Sequence, residues 1–343
     1  MNGIELSRRF FMEAGLPLLR RHFPDLAERA AAGLVAGGFE SGCGSEIGGF
    51  DDEISRDHNW GPRFFLFLSE ADKRKQGEAV QGLLEAELPD TFAGFRSSAT
   101  TLPKRKAYIV TPEENLRAVL GLDGPPASNE DWIHLPEIRL FEYMSGTIFY
   151  EPVPLVSPLR GRFAYYPDNV WYKRLSFAFF QLHAAGNAAR MARRSDAVAC
   201  RFYITCLLRN VMRACFLLSR RYAPYHKWLF QAFRRLPGMR PDLVHHIECL
   251  SIRLELATVE DQMYRILDAV GELANGAGVI EPQPLRRKSP FTWTDFNCYG
   301  FMEAFHRKIH GPLGEKTPYE GPLDLAIPLD VGLESHVLRA AWS

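Results

Sequence analysis

GGFESGCGSEIGGFDDEISRDHNWGPRFFLFL, residues 37–68, is the stretch from which the rest of the chain is read. Residues 37–63 are dense in Gly, Ser and acids, the composition of a turn-rich connection. Phe64–Leu68 is a short unbroken apolar run, the pattern of a strand covered on both faces. Pro62 argues against one paired strand running through 57–68. Upstream, residues 4–36 read as helical, interrupted at Pro17 and Pro24. Downstream, Ser69–Leu88 has helical spacing with acids in its first turn. KAYIVT (Lys106–Thr111) reads as a strand, and PEENLRAVLGL (112–122) as a helix opening on Pro112. IRLFEY (Ile138–Tyr143) and TIFYE (Thr147–Glu151) are expected to be two strands joined by Met144–Ser145–Gly146.

The remainder changes character. Pro152–Asp168, rich in Pro, Gly and aromatics, suits a connector. Helical patterning dominates residues 169–275, broken at 223–224 and at 236–239. Residues 281–291 read as a loop, 293–310 as one more helix, and the tail from Gly311 as an extended strap. The expected organisation is α+β. A mixed sheet with flanking helices occupies residues 1–155, and a helical bundle with an extended tail occupies 156–343.

At about 150 residues per domain, 343 residues fit this two-domain reading. The 41 Lys and Arg balance the 41 Asp and Glu, with a pI near 7.1. That balance argues against a general nucleic-acid coat or a polybasic membrane binder. No run approaches 18 uncharged apolar residues, and the first residues lack the apolar core of a signal peptide. The six cysteines include no CxxC pair, so buried thiols in a reducing, cytoplasmic setting are expected.

The same connection carries the chemistry. A Gly44–Ser45 pair lets backbone N–H groups and a hydroxyl come close to phosphate oxygens, because glycine puts no side chain in the way. Asp57 and Asn59 are two oxygen ligands at i and i+2, on one face of an extended segment. Mg2+ favours such a set, a few protein oxygens with phosphates and water completing the shell. The competing reading is a plain acidic turn.

Taken together, GCGSEIGGFDDEISRDHNWGPR, DWIHLPEIRLFEYMSGTIFYE, YPDNVWYKRL, LLRNVMRACFLLSRRYAPYHKWL and GPLDLAIPLD resemble a bacterial family of unknown function within the nucleotidyltransferase superfamily. The resemblance implies a nucleotidyltransferase-like domain followed by a helical one, as in the aminoglycoside nucleotidyltransferases. On it, Gly44 and Ser45 match the phosphate-binding pair and Asp57 the first metal carboxylate. Asn59 departs from the second Asp of the superfamily pattern; it keeps a carbonyl oxygen but adds no charge. Glu46, Asp51, Asp52 and Glu53 are nearby acids that could compensate. For a third carboxylate the candidates are Glu137, Glu142 and Glu151, with Glu142 preferred. The implied reaction moves a nucleoside monophosphate from a nucleoside triphosphate, with Mg2+ or Mn2+, to an acceptor held between the domains. Neutral net charge favours a small-molecule acceptor over nucleic acid, with a protein side chain also open. Two rivals are a nucleotide sensor without turnover and a protein-interaction module. His58, between the two metal-side residues, is expected to face away and to be structural.

The helical region supplies a second clue. Phe202, Ile204, Leu207, Leu208, Val211, Met212, Cys215 and Phe216 describe a helix apolar nearly all round. At about 100° per residue, Arg201, Arg209, Arg213 and Arg220 fall within about 120° of one another on it. An arginine stripe on a buried helix must meet carboxylates, phosphate or water. Arg209 and Arg213 are therefore candidates for phosphate contact, against inter-domain salt bridges. Lys227 is a further candidate phosphate contact, and Arg190, Tyr222, Tyr225 and Trp228 are candidate cleft residues. Asp196, with Arg190 at an earlier break, has an ion pair across the turn as its plain reading. His306 and His310, four apart, lack a third ligand, and the adjacent His245 and His246 carry no assignment.

Overall fold

The computed structural model describes residues 1–37, 44–56, 60–97, 105–288 and 294–326. The chain forms two compact units: Met1–Pro126 with Ile138–Ala164, and Ala127–Glu137 with Tyr165–Ser343. The division expected at 155/156 falls at 164/165, and residues 127–137 go with the second unit.

The first unit opens with α1 (Gly3–Phe10), which runs through a π-helical turn at Phe11–Gly15 into α2 (Leu16–His22). Pro17 falls just after the π-helical turn, inside a run that stays helical, and the break comes at Phe23–Pro24 before α3 (Pro24–Ala27). Ala31–Leu34 is β1, not helix, which corrects the helical reading of 4–36. Alanine favours helix, but these four residues are buried and paired on both sides, and tertiary pairing overrides so weak a propensity. Gly33 is needed there, since a Cβ would sit 2.6 Å from the Thr147 carbonyl oxygen of the neighbouring strand.

Phe64–Phe67 is β2, fully buried as its sequence implies. Next come α4 (Glu70–Glu87), capped by the Ser69 hydroxyl, and a small hairpin, β3 (Thr91–Phe92) with β4 (Phe95–Arg96). β5 (Ala107–Val110) leads to α5 (Pro112–Leu120), whose Thr111 and Glu114 form a capping box. After α6 (Asn129–Ile133), which belongs to the second unit, the chain forms α7 (Glu137–Met144), β6 (Thr147–Tyr150) and α8 (Ser157–Gly161). α7 replaces the strand expected at 138–143. Its alternation also satisfies helical spacing: Leu140 and Tyr143 are buried three apart, and Arg139 pairs with Glu142 at 2.8 Å.

The sheet order is β5-β2-β1-β6. β1 is antiparallel to both β2 and β6, and β2 is parallel to β5. Alternate residues serve two cores. Phe64 and Leu66 pack with Phe10, Phe11 and Leu84, while Phe65 and Phe67 pack with Tyr108 and Val156.

In the second unit the helical expectation for 169–275 is met by α9 (Asp168–Gln181), α10 (Ala184–Arg193), α11 (Ala197–Leu218), α12 (His226–Phe233), α13 (Pro241–Ile252) and α14 (Val259–Gly276). The expected breaks at 223–224 and 236–239 fall between α11, α12 and α13. The 281–291 loop contains β7 (Arg286–Lys288), which pairs with β8 (Thr294–Phe296). The helix expected over 293–310 is therefore shorter, α15 (Cys298–His306), and the tail holds α16 (Pro312–Glu315) and α17 (Leu323–Ala326). α9 packs on α15 through Phe179, whose ring lies 5.1 Å from Phe301 and 5.3 Å from Phe305. α11 is not buried all round: Phe202 is 69% exposed, and Cys206 is exposed too. No helix among the described residues is long and apolar enough to cross a membrane.

Candidate functional site

Asp57, His58 and Asn59 lie outside the described residues; the turn before them is described. The Gly44 carbonyl accepts from the Ile47 N–H, the Glu46 carbonyl from Gly49, and the Ser45 carbonyl from Phe50 at 3.0 Å, winding residues 44–50 into a compact turn. The Ile47 carbonyl accepts from Gly146, so the turn is tied to the start of β6. Ser45 is buried.

Three of the four nearby acids are already engaged, and the fourth, Glu53, is exposed. Glu46 is buried and pairs with Arg63, itself buried. A Cβ on Gly44 would lie 2.7 Å from the Glu46 carboxyl carbon, so that pair alone makes residue 44 a glycine. Asp51 accepts from the Gly3 N–H at 2.8 Å and from the Trp60 indole at 3.1 Å, fastening the start of α1. Asp52 accepts from Ser55 N–H at 2.8 Å. Among the described residues, no group of three His, Cys, Asp or Glu is placed to hold a metal.

The candidates for a third carboxylate separate. Glu142 sits on α7 rather than on a strand, buried and paired with Arg139; the neighbouring Phe141 ring lies beside Gly48 of the turn. Glu151 is a loop clamp, accepting from the N–H groups of Leu155, Val156 and Ser157 at 2.6–3.0 Å. Glu137 belongs to the second unit, where it helps form a buried ionic cluster.

That cluster is the densest electrostatic feature of the second unit. Arg213 Nη2 lies 2.8 Å from Glu137 Oε2 and 3.5 Å from Asp324 Oδ2. Arg174 Nη2 lies 2.6 Å from Asp324 Oδ2, which also accepts from the Glu137 N–H at 2.9 Å. Arg174 and Glu137 are entirely buried. The Arg174 guanidinium rests 4.7 Å over the Tyr166 ring, within a trio in which Tyr165 and Tyr166 lie 5.1 and 5.0 Å from Tyr222. Burial drives the Asp324 carboxyl upward, but Arg174, Arg213 and the Glu137 N–H outweigh it and hold it below its ordinary value. Burial pushes the hydroxyls of Tyr165, Tyr166 and Tyr222 up, keeping them neutral donors. Glu137 Oε1, Asp324 Oδ1, Arg174 Nη1 and the Tyr166 hydroxyl are buried with no hydrogen-bond partner among the described residues.

The arginine stripe resolves into separate roles. Arg213 belongs to the cluster, Arg220 pairs with Asp168 at 2.7 Å and covers the Trp171 ring, and Arg201 donates to the Ser251 carbonyl. All these contacts lie inside the second unit, so the inter-domain salt bridges considered from sequence are internal ones. Arg209 differs. Its guanidinium is buried, donates to Asn210 Oδ1 at 3.0 Å and to the Leu325 carbonyl at 3.2 Å, and has no carboxylate within ion-pair reach among the described residues. Burial, then the neighbouring Arg213, lower its affinity for a proton.

Lys227 is exposed, 5.0 Å over the Trp228 ring, and the Trp228 indole donates to the Tyr225 hydroxyl at 2.8 Å. Arg190 is exposed and donates to Asn187 on its own helix. Asp196 caps α11, its carboxylate accepting from Ala199 N–H at 3.0 Å. Sequence reasoning passed over Arg174 and Asp324. Their signal lay in the stretches YPDNVWYKRL and GPLDLAIPLD, where each of the two sits close to apolar residues.

Among known families, residues 132–229, less than a third of the chain, are similar to a domain of unknown function (DUF4037). The matched segment contains Glu137, Arg174, Arg209, Arg213 and the three tyrosines, and leaves out residues 44–63. No curated protein and no solved structure matches the chain.

Proposed function

We propose that the chain is a nucleotidyltransferase-like enzyme that moves a nucleoside monophosphate from a nucleoside triphosphate to a small-molecule acceptor. One topological observation carries the reading. β1 and β2 are antiparallel with Gly33 opposite Phe65, so β1 ends where β2 begins. The whole 35–63 connection therefore leaves from and returns to one end of the sheet. Gly44–Ser45 and Asp57–Asn59 both belong to that connection in sequence, which supports a phosphate cradle and a metal carboxylate near one end of the sheet.

Since Glu46, Asp51 and Asp52 are engaged, Asp57 with Asn59 would hold Mg2+ or Mn2+, which when bound would neutralise triphosphate oxygens. The residues of this chain supply the rest: the Gly44–Ser45 turn orients phosphate, and catalysis comes from positioning and charge. Arg209 and Lys227 remain the candidates for phosphate contact. Arg213 is assigned to the ionic cluster, and Glu142 to its pair with Arg139.

The test is pyrophosphate release from each triphosphate with Mg2+ across a panel of small-molecule acceptors. Activity is expected in the wild type and absent in Asp57→Ala. A companion thermal-shift panel of triphosphates should show stabilisation that weakens in Ser45→Ala. No shift with any triphosphate would sink the reading. Asn59 favours one alternative, binding without turnover, for which the shift persists and no pyrophosphate appears.

A further inference from the structure

A hollow of about 350 Å³ is lined wholly by residues of the second unit, and shares with the candidate site residues above only Arg190, with its acceptor Asn187. Its walls come from the α9–α10 turn, α10, α14, the β7–β8 hairpin and the start of α15. Among the described residues three cations line it, Arg190, Arg287 and Lys288, with one carboxylate, Asp295. That carboxylate already accepts from the Tyr264 hydroxyl at 3.0 Å. The floor is apolar and aromatic: Leu182, Phe296 and Cys298 are buried, and the Tyr299 ring is part-exposed.

Burial pushes the Tyr299 hydroxyl up, Cys298 and Tyr319 add to the rise, and Arg190 and Arg287 oppose it. Gly186 lies in the first turn of α10 between Ala185 and Asn187, with no left-handed backbone angle. A Cβ there would meet nothing within 4 Å. Helical glycine costs about 1 kcal/mol relative to alanine, and no neighbour or backbone angle requires it here. Gly186 lines the hollow, and the space over it is open.

We propose that this hollow binds a small organic phosphate with a flat apolar body. The excess of cations suits a dianion, with arginine forks and a lysine point charge recognising phosphate oxygens. The Tyr299 ring and the apolar floor take the flat body. The site stands independently of the nucleotidyl-transfer reading.

The test is an NMR titration of the full chain with phenyl phosphate in EDTA, with inorganic phosphate and phenol as the two half-probes. Phenyl phosphate is expected to bind at least tenfold more tightly than either half. Gly186→Phe, which fills the hollow without touching the core, should weaken binding at least tenfold with an unchanged melting temperature. Arg190→Gln/Arg287→Gln should do the same for phenyl phosphate and leave phenol unaffected. Asp57→Ala should bind as the wild type does. Wild-type affinity in Gly186→Phe, or phenol binding as tightly as phenyl phosphate, overturns the proposal. Loss in Asp57→Ala alone would place the phosphate in the first unit and also overturn it, whereas absence of pyrophosphate release bears only on the enzyme reading.

Discussion

Removing one member of a buried ion pair leaves the other charged and dry, which is worse than removing both. Glu46 and Arg63 are both almost fully enclosed, so Arg63→Met is expected to cost about 3–5 kcal/mol of stability. The double variant Glu46→Gln/Arg63→Met should cost distinctly less, and urea melts of the set measure the difference. The same logic separates two arginines that look alike in sequence. Arg213→Met takes the closer partner from Glu137, leaving Arg174 at 4.0 Å, and should destabilise by about 2–4 kcal/mol. Arg209→Met removes a buried cation with no described carboxylate partner, and should leave the melting temperature nearly unchanged while reducing any triphosphate-induced shift. Equal destabilisation by the two would contradict this division. Gly44–Ser45 was legible in the sequence as a tight turn, but the collision with Glu46 that enforces the glycine was not. It depends on Arg63, 17 residues further on.

Among the elements, α9 carries a charge it would be better without. Lys173 is buried and donates to the Thr317 carbonyl at 2.7 Å. Burial pushes its ammonium down to about 8 from 10.5, only partly opposed by Glu320 and reinforced by Lys316. Between those two values the unfolded chain binds a proton that the folded chain does not, so stability rises with pH across that window. Lys173→Met should therefore stabilise the protein at pH 7, by about 2 kcal/mol once the lost hydrogen bond is set against it. The gain should shrink by pH 10, which denaturant melts at the two pH values would show. Asp324 on α17 has the opposite sign. Its carboxyl is held below 3.8, so its contribution is complete above that value and is lost as pH falls through the folded-state value. Melts between pH 2.5 and 6 should show this acid loss, and Asp324→Asn should flatten it. Element types were readable where one local signal dominated, as in β2 with its unbroken apolar run or α5 with its capping box. They were misread where local preference and long-range pairing disagreed, as in alanine-rich β1, or where a short alternation fitted both periods, as in α7. The cluster of α7, α9, α11 and α17 was invisible for a simpler reason: Glu137, Arg174, Arg213 and Asp324 are spread over nearly 190 residues.

Across the whole molecule, thiol chemistry offers a map of burial. Cys206 and Cys249 are exposed, which corrects the expectation that the thiols are buried. Cys200, Cys215 and Cys298 are enclosed, and burial pushes the thiols of Cys215 and Cys298 up to about 12. Maleimide pulse-labelling read peptide by peptide should modify Cys206 and Cys249 in the native state. The other three should react only in denaturant; fast native labelling of Cys215 would contradict the packing of α11. Cys43 lies outside the described residues.

The chain crosses between its two units at 126/127, at 137/138 and again at 164/165, the middle crossing falling just after the first residue of α7. Neither half is thus a single uninterrupted length of polypeptide. A gene fragment encoding only the helical half from residue 165 would lack Glu137 and leave Arg213 without that partner. One ending at 164 would carry Ala127–Glu137 without the helices they belong with. For recombination this is a barrier: swapping either half between relatives takes more than one junction, so the two halves are expected to have been inherited together.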